Sequence, residues 1–416
     1  MVARFDTPPR KQTVRPDRVS LDWHYPPGLL ELSCINMLFR VATLGIYHFW
    51  AKTEVRQRIW SSIRINDEPL TYTGRGIELL IGFLIAIGTV FVPAILLIAG
   101  LTFAFGPRHP ITNVTSLLSY VLFFFLFGYA IFRAQLYRLS RTRWRGIRFA
   151  LEGNGLTYAW TYLWTAALIP ITFGWINPWR STKLQSLITN YTRFGDRYLD
   201  FDAKSGPLYG PYAAAAIGGG GAYVGFIVFV TVLFFEKLRS QAQAGVPFVA
   251  TTSEIFMTVA ALIAAGLIYA LATAWYRASM INHFADHTRI GKARFRCNLD
   301  PIGVIWVSVT NYLIMLAGVA CVGLLCLAIA LPTIALQGAP STEAGPLGRL
   351  MLYLISVATL LGPLLFSPIT QARWIGYLVQ NLSISGTVPL EEILQATGPD
   401  VKHGEGLAES FDIGVA

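Results

Sequence analysis

Three polar residues stand inside one apolar run, where their chemistry would be costly without a partner. Glu31, Asn36 and Arg40 lie within Leu29–Phe49. At the centre of a bilayer each would need a partner or water, and such residues are functional candidates. Glu31 and Arg40 are about two and a half helical turns apart, on opposite faces, so they cannot pair within one helix. At an interface both could instead snorkel to water. A second set is Trp50 with Arg56, and Trp179 with Lys183. An aromatic ring beside a cation could grip a lipid headgroup or an anionic ligand, but simple interfacial anchoring, which any membrane protein needs, explains it better.

Other arrangements promise less. Asn282-His283-Phe284-Ala285-Asp286-His287 sets two histidines four apart, a spacing that can hold a metal, but no Glu follows the first His as zinc proteases require. A solvated amphipathic helix accounts for it better. Gly218–Gly221 lacks the Gly-Lys-Ser/Thr of a phosphate loop, and Gly221 and Gly225 read instead as a GxxxG packing face. Cys34, Cys297, Cys321 and Cys326 form no CxxC pair and read as packed thiols. No nucleophile–base constellation is present, so the expectation is a non-enzymatic protein with no cofactor and no resident metal.

Composition states what must position these residues. Of 416 residues, 54% are hydrophobic and 13% charged, and the mean hydropathy is +0.51. A soluble domain carries roughly 25% charged residues. The net charge is +10. Its basic residues sit beside apolar runs, which points to membrane lipids with anionic headgroups as partners rather than nucleic acid.

Six runs are long enough to span: Ile77–Phe105, Val114–Phe132, Ala213–Phe235, Ile255–Trp275, Val304–Leu331 and Leu350–Phe366. Leu29–Phe49 and Tyr158–Trp175 are doubtful, since each is flanked on both sides by basic segments, and a true crossing would put one of them outside. Read as re-entrant or interfacial, they leave both termini and all long basic segments cytoplasmic. Eight full spans is the alternative. The expected division is a basic N-terminal segment at 1–28, a first membrane region at 29–210, a second at 211–390 and an acidic tail at 391–416.

One phrase recurs. Gly45-Ile46-Tyr47-His48-Phe49-Trp50 returns as Gly174-Trp175-Ile176-Asn177-Pro178-Trp179, and more weakly as Gly362-Pro363-Leu364-Leu365-Phe366-Ser367. Short alternating strands follow the first two copies, near Leu70–Gly74 and Leu199–Asp202. A second unit runs from Phe132 to Phe149 and again from Tyr276 to Phe295, each ending Arg-Phe. The fold class is therefore mainly α: a polytopic helical membrane protein with internal repeats and small cytoplasmic β-hairpins, able to pair with one another.

The phrase Thr43-Leu44-Gly45-Ile46-Tyr47 with Trp50-Ala51-Lys52, the strand Gly291–Phe295 and the tail Gly404–Gly414 together resemble the YjgN family of bacterial inner-membrane proteins. The resemblance runs from about Leu21 to Ala416. The third phrase departs from it, with Ser367-Pro368 where the family has Pro-Trp. The resemblance implies a bacterial plasma-membrane location and supplies no catalytic residue, substrate or cofactor. A transporter, channel or lipid-handling factor is the expected function, with a scaffold using its cytoplasmic face as the alternative.

Overall fold

A computed structural model describes residues 18–245, 250–337, 346–386 and 393. Its twelve short strands pair in two antiparallel ladders, one of nine strands and one of three. The chain begins with β1 (Arg18–Val19) and β2 (Leu21–Trp23), then α1 (Leu29–Ala42) and α2 (His48–Trp60), then β3 (Ile63–Ile65), β4 (Glu68–Pro69) and β5 (Thr71–Tyr72). Next come α3 (Gly76–Ala86), α4 (Val92–Phe105), α5 (Pro110–Arg141), β6 (Thr142–Trp144), β7 (Ile147–Leu151), α6 (Gly155–Ile171), α7 (Asn177–Thr189), β8 (Thr192–Phe194) and β9 (Arg197–Phe201). The remainder is α8 (Tyr209–Ala213), α9 (Gly220–Ala244), α10 (Thr252–Asp286), β10 (Thr288–Ile290), β11 (Ala293–Cys297), α11 (Pro301–Gln337), α12 (Pro346–Asn381) and β12 (Leu382–Ser385).

The strands form an antiparallel meander from β5 to β12, and β1 adds to β12. β2, β3 and β4 form a separate ladder. A single residue, Ser20, separates β1 from β2, and Leu70 alone separates β4 from β5. Each of these two stretches therefore pairs with one neighbour in its first part and another in its second. Through Ser20 and Leu70 the two ladders run into one another, and they enclose one shared apolar core as a barrel does.

Alternation fills its interior. Leu70, Trp144, Phe194, Ile290 and Ala293 are buried together, with Ile63, Ile65, Ile147, Phe149, Leu199, Phe295 and Ile384 packed against them. Ile393, beyond the last strand, joins the same core. Four tight turns link strands at one end. Asn66-Asp67 and Arg145-Gly146 have positive φ at both central residues, as a type I′ hairpin requires, while Gly195 and Gly291 open the other two at φ 58° and 57°. Each turn follows the same local order, an Arg and then an inward apolar residue: Arg64-Ile65, Arg143-Trp144, Arg193-Phe194 and Arg289-Ile290. The period of two therefore puts these arginines on the outer face. Arg193 pairs with Glu152 at 2.5 Å, and Arg289 with Asp200 and Asp202 at 2.6 and 3.0 Å.

Helical pairs leave from the opposite end, each between two strands that pair with one another: α1–α2 between β2 and β3, α3/α4–α5 between β5 and β6, α6–α7 between β7 and β8, α8/α9–α10 between β9 and β10, α11–α12 between β11 and β12. Thr142, Thr192 and Thr288 mark three of the helix-to-strand exits, where each hydroxyl donates to the carbonyl four residues back. Stretches Gly76–Phe105, Pro110–Arg141, Gly206–Ala244, Thr252–Asp286 and Pro301–Ala328 are long and apolar enough to cross a membrane. They contain the first five expected spans, except that Val304–Leu331 runs three residues past the last stretch. The sixth, Leu350–Phe366, falls within α12. A π-helical stretch, Ile87–Phe91, precedes Pro93 in the first, where the sequence suggested a kink.

One detail, the GxxxG packing face, differs from expectation, and the third phrase takes a form of its own. The third phrase, Gly362–Ser367, lies inside the continuous α12 and forms no turn. Its glycine serves close packing: a Cβ on Gly362 would lie 2.4 Å from Val319 Cα, and one on Gly318 would lie 2.4 Å from Gly362 O. Gly221 and Gly225 face open space, while Gly219 is the packed glycine, with Tyr269 3.0 Å from where its Cβ would stand.

Candidate functional site

The two doubtful runs form helical hairpins with matching turns. Leu44 and Gly45 have φ 51° and 92°, and Phe173 and Gly174 have φ 48° and 83°. The Gly45 amide donates to Arg40 O at 2.7 Å, and the Gly174 amide to Ile169 O at 2.8 Å. Thr43 and Thr172 each donate from their hydroxyl to the carbonyl four residues back, and accept from the amides of Tyr47 and Ile176. A bulky residue rarely adopts positive φ. Here it does so at both tips while almost fully exposed, 95% for Leu44 and 92% for Phe173.

From Ser33 to Arg40, helix α1 is polar where it is buried and mostly apolar where it is exposed. Ser33, Asn36 and Arg40 are buried, while Leu30, Ile35, Leu38 and Phe39 are exposed. The spacing of three and four places the polar three on one face. That face meets α12. The Ser33 hydroxyl donates to Leu365 O, and Leu29 packs in a cluster with Ala372 and Ile369. The two helices therefore run antiparallel, and α12 carries Pro363 and Pro368 alongside the contact. Asn36 is 1% exposed, and neither its Oδ1 nor its Nδ2 has a hydrogen-bond partner. Arg40 is 7% exposed, and its Nε is likewise unsatisfied.

The second hairpin closes the corresponding position. Gly45 and Gly174 are 129 positions apart, and the same offset takes Asn36 to Thr165. Thr165 is fully buried, and Arg180 of α7 donates to it from Nε at 3.2 Å while its guanidinium lies 4.5 Å from the Tyr162 ring centroid. At the place of Arg180 the first hairpin has Ala51. Between α11 and α12, Arg373 is also satisfied: it donates to Asn311 Oδ1 at 3.0 Å and to Thr310 Oγ1 at 2.7 Å.

The other sequence candidates are dispersed. Glu31 is exposed in the first turn of α1, away from the buried face, where a carboxylate suits the helix N-terminus. Trp50 is half-buried and stacks on Tyr47 with ring centroids 6.3 Å apart. Arg56 is buried, donates to the Tyr72 hydroxyl at 3.1 Å and lies 5.8 Å from the Trp60 ring centroid. Trp179 packs on Trp164 at 5.5 Å, and Lys183 is exposed. Asn36 and Arg40 thus share the buried face of α1, Glu31 lies off that face, and Trp50, Arg56, Trp179 and Lys183 have the other surroundings just given. His283 bonds to Lys204 O at 2.7 Å and His287 to His283 O at 2.8 Å. No group of three or more metal-binding side chains converges among the described residues. Ser33, Thr165, Arg180, Asn311 and Arg373 were not singled out by sequence. Ser33, three and seven residues before Asn36 and Arg40, could have been found from that spacing alone.

No curated protein and no solved structure matches the chain. A family model described as a bacterial protein of unknown function (DUF898) matches residues 28–410, a range that takes in every helix and the whole of the ring from β3 to β12. The chain therefore belongs to this family, which is the YjgN family that its repeated phrase and its glycine-led strand resemble.

Proposed function

We propose that this is a multi-pass protein of the bacterial inner membrane that handles a lipid-like cargo along the seam between α1 and α12. On this reading six helices span, the two short hairpins enter the membrane and return, and the barrel and both termini are cytoplasmic. The five helical pairs are internal repeats of one strand–helix–helix–strand unit, two of them short.

The carrying observation is the inverted polarity of α1, with a buried stripe of Ser33, Asn36 and Arg40 under an exposed apolar surface. Such a helix suits a lipid surround with a polar path behind it. Supporting it, α1 has 14 residues, about 21 Å of helix against about 30 Å of hydrocarbon. Pairing of β2 with β3 favours a return to the starting side, and the exposed Leu44 and Phe173 tips gain by lying in hydrocarbon. The strands enclose an apolar core, which favours a lateral, lipid-side route over a channel through it.

Mass spectrometry of lipids that co-purify with the protein, with lipid transfer between vesicles as the activity, tests this. Transfer that depends on the protein is expected. A protein that carries no lipid and transfers none would instead favour the scaffold reading, for which the filled barrel and its outward arginines speak.

A further inference from the structure

We propose that Asn36 and Arg40 form an oxyanion site between α1 and α12, whose ligand is a phosphate group, carried by a lipid headgroup or free. The proposal rests on the inner-membrane cargo reading above and adds the chemistry of what is held. Arginine keeps its charge under all ordinary conditions. A buried guanidinium N–H without an acceptor is costly, and a buried amide with neither atom satisfied needs its own explanation. Here both occur on one face, four residues apart, at 7% and 1% exposure. Glu31 is on the opposite face, and no described carboxylate forms an ion pair with Arg40.

The other two arginine seams show that the fold can satisfy such a group internally. Arg180 has Thr165 and the Tyr162 ring, and Arg373 has Asn311 and Thr310. The first hairpin has Ala51 at the place of Arg180 and an arginine on the helix before the turn, and there the Asn36 amide and the Arg40 Nε stay open. A guanidinium Nε–H beside an amide Nδ2 offers convergent donors to a phosphate oxygen. Pro363 and Pro368 each lack a backbone donor on α12 alongside the contact, and helices bend at such positions.

The test uses the full-length protein, delipidated in detergent, with thermal unfolding and native mass spectrometry read in three arms: added phosphatidylglycerol, added inorganic phosphate, and sodium chloride at matched ionic strength. A rise in midpoint with phosphatidylglycerol and one retained lipid identify a headgroup as the source. A rise with inorganic phosphate alone identifies the free ion. Arg40→Gln is expected to abolish the rise, Asn36→Leu to weaken apparent affinity about tenfold, and Arg294→Gln on the outer barrel face to respond like the parent. Should Arg40→Gln fail to fold, Arg40→Lys and Asn36→Leu carry the comparison. No response in either anion arm, or parent-like responses in the Asn36 and Arg40 variants, would overturn the site. Vesicle transfer separates the two readings: transfer that persists without anion binding overturns the site alone, and anion binding without transfer overturns the cargo reading alone.

Discussion

Arg180 and Arg40 show how one residue's surroundings decide its meaning. Arg180 sits against a buried hydroxyl and an aromatic face, so its charge is structural. Thr165→Val should remove its hydrogen-bond partner and lower stability by about 1–3 kcal/mol, read by thermal unfolding in detergent. The turn residues offer a second test. Leu44 and Phe173 bear a left-handed cost of about 1–2 kcal/mol. Leu44→Gly should leave the midpoint of the detergent-solubilised protein unchanged or raised, and Leu44→Ile, branched at Cβ, should lower it. A lower midpoint for the glycine variant would mean that the Leu44 side chain, exposed as it is, stabilises the turn more than its backbone strains it. The sequence showed Asn36 and Arg40 as costly residues in an apolar run but could not show that they share a buried face without a partner. Burial depends on where α12 passes, more than 300 residues on.

Among the elements, the helical pairs were legible and their closure was not. Long apolar runs announce spanning helices because a bilayer demands unbroken length. The doubtful runs were legible through basic flanks, and the structure gives each a tight turn at the repeated glycine. The third phrase, read as a weaker copy, has a different role, since Gly362 lets α11 and α12 touch. Gly318→Leu should therefore separate those helices and cost about 3 kcal/mol or more, visible as lost expression or a lower unfolding midpoint. Thr142→Val, Thr192→Val and Thr288→Val each delete one helix-exit bond and should each cost about 1 kcal/mol.

At the scale of the whole molecule, the barrel fixes where every helical pair begins and ends. The strands that join its two ladders, β1, β2, β4 and β5, are two or three residues long, and only β5, within the alternating Leu70–Gly74, carries a pattern that can be read. Their existence follows from partners distant in sequence, such as Arg18 with Ser385 and Leu21 with Ile65. Removing Trp144 from the barrel core by Trp144→Ala should cost about 3–5 kcal/mol. Ile393→Asp should also destabilise the barrel, since that side chain would bury a carboxylate in the same core.

The claim on which the proposed architecture most depends is that the first short hairpin enters and leaves on one side of the membrane. It is tested by Tyr25→Cys and Ser61→Cys, single exposed positions before α1 and after α2, in a chain whose own four cysteines are replaced by serine. A membrane-impermeant maleimide is applied to intact spheroplasts and to opened membranes, with Arg108→Cys in the α4–α5 link as the outward control. The prediction is that Arg108→Cys labels in intact cells, while Tyr25→Cys and Ser61→Cys label only after opening. Labelling of one of those two positions in intact cells, and of the other only after opening, would contradict it.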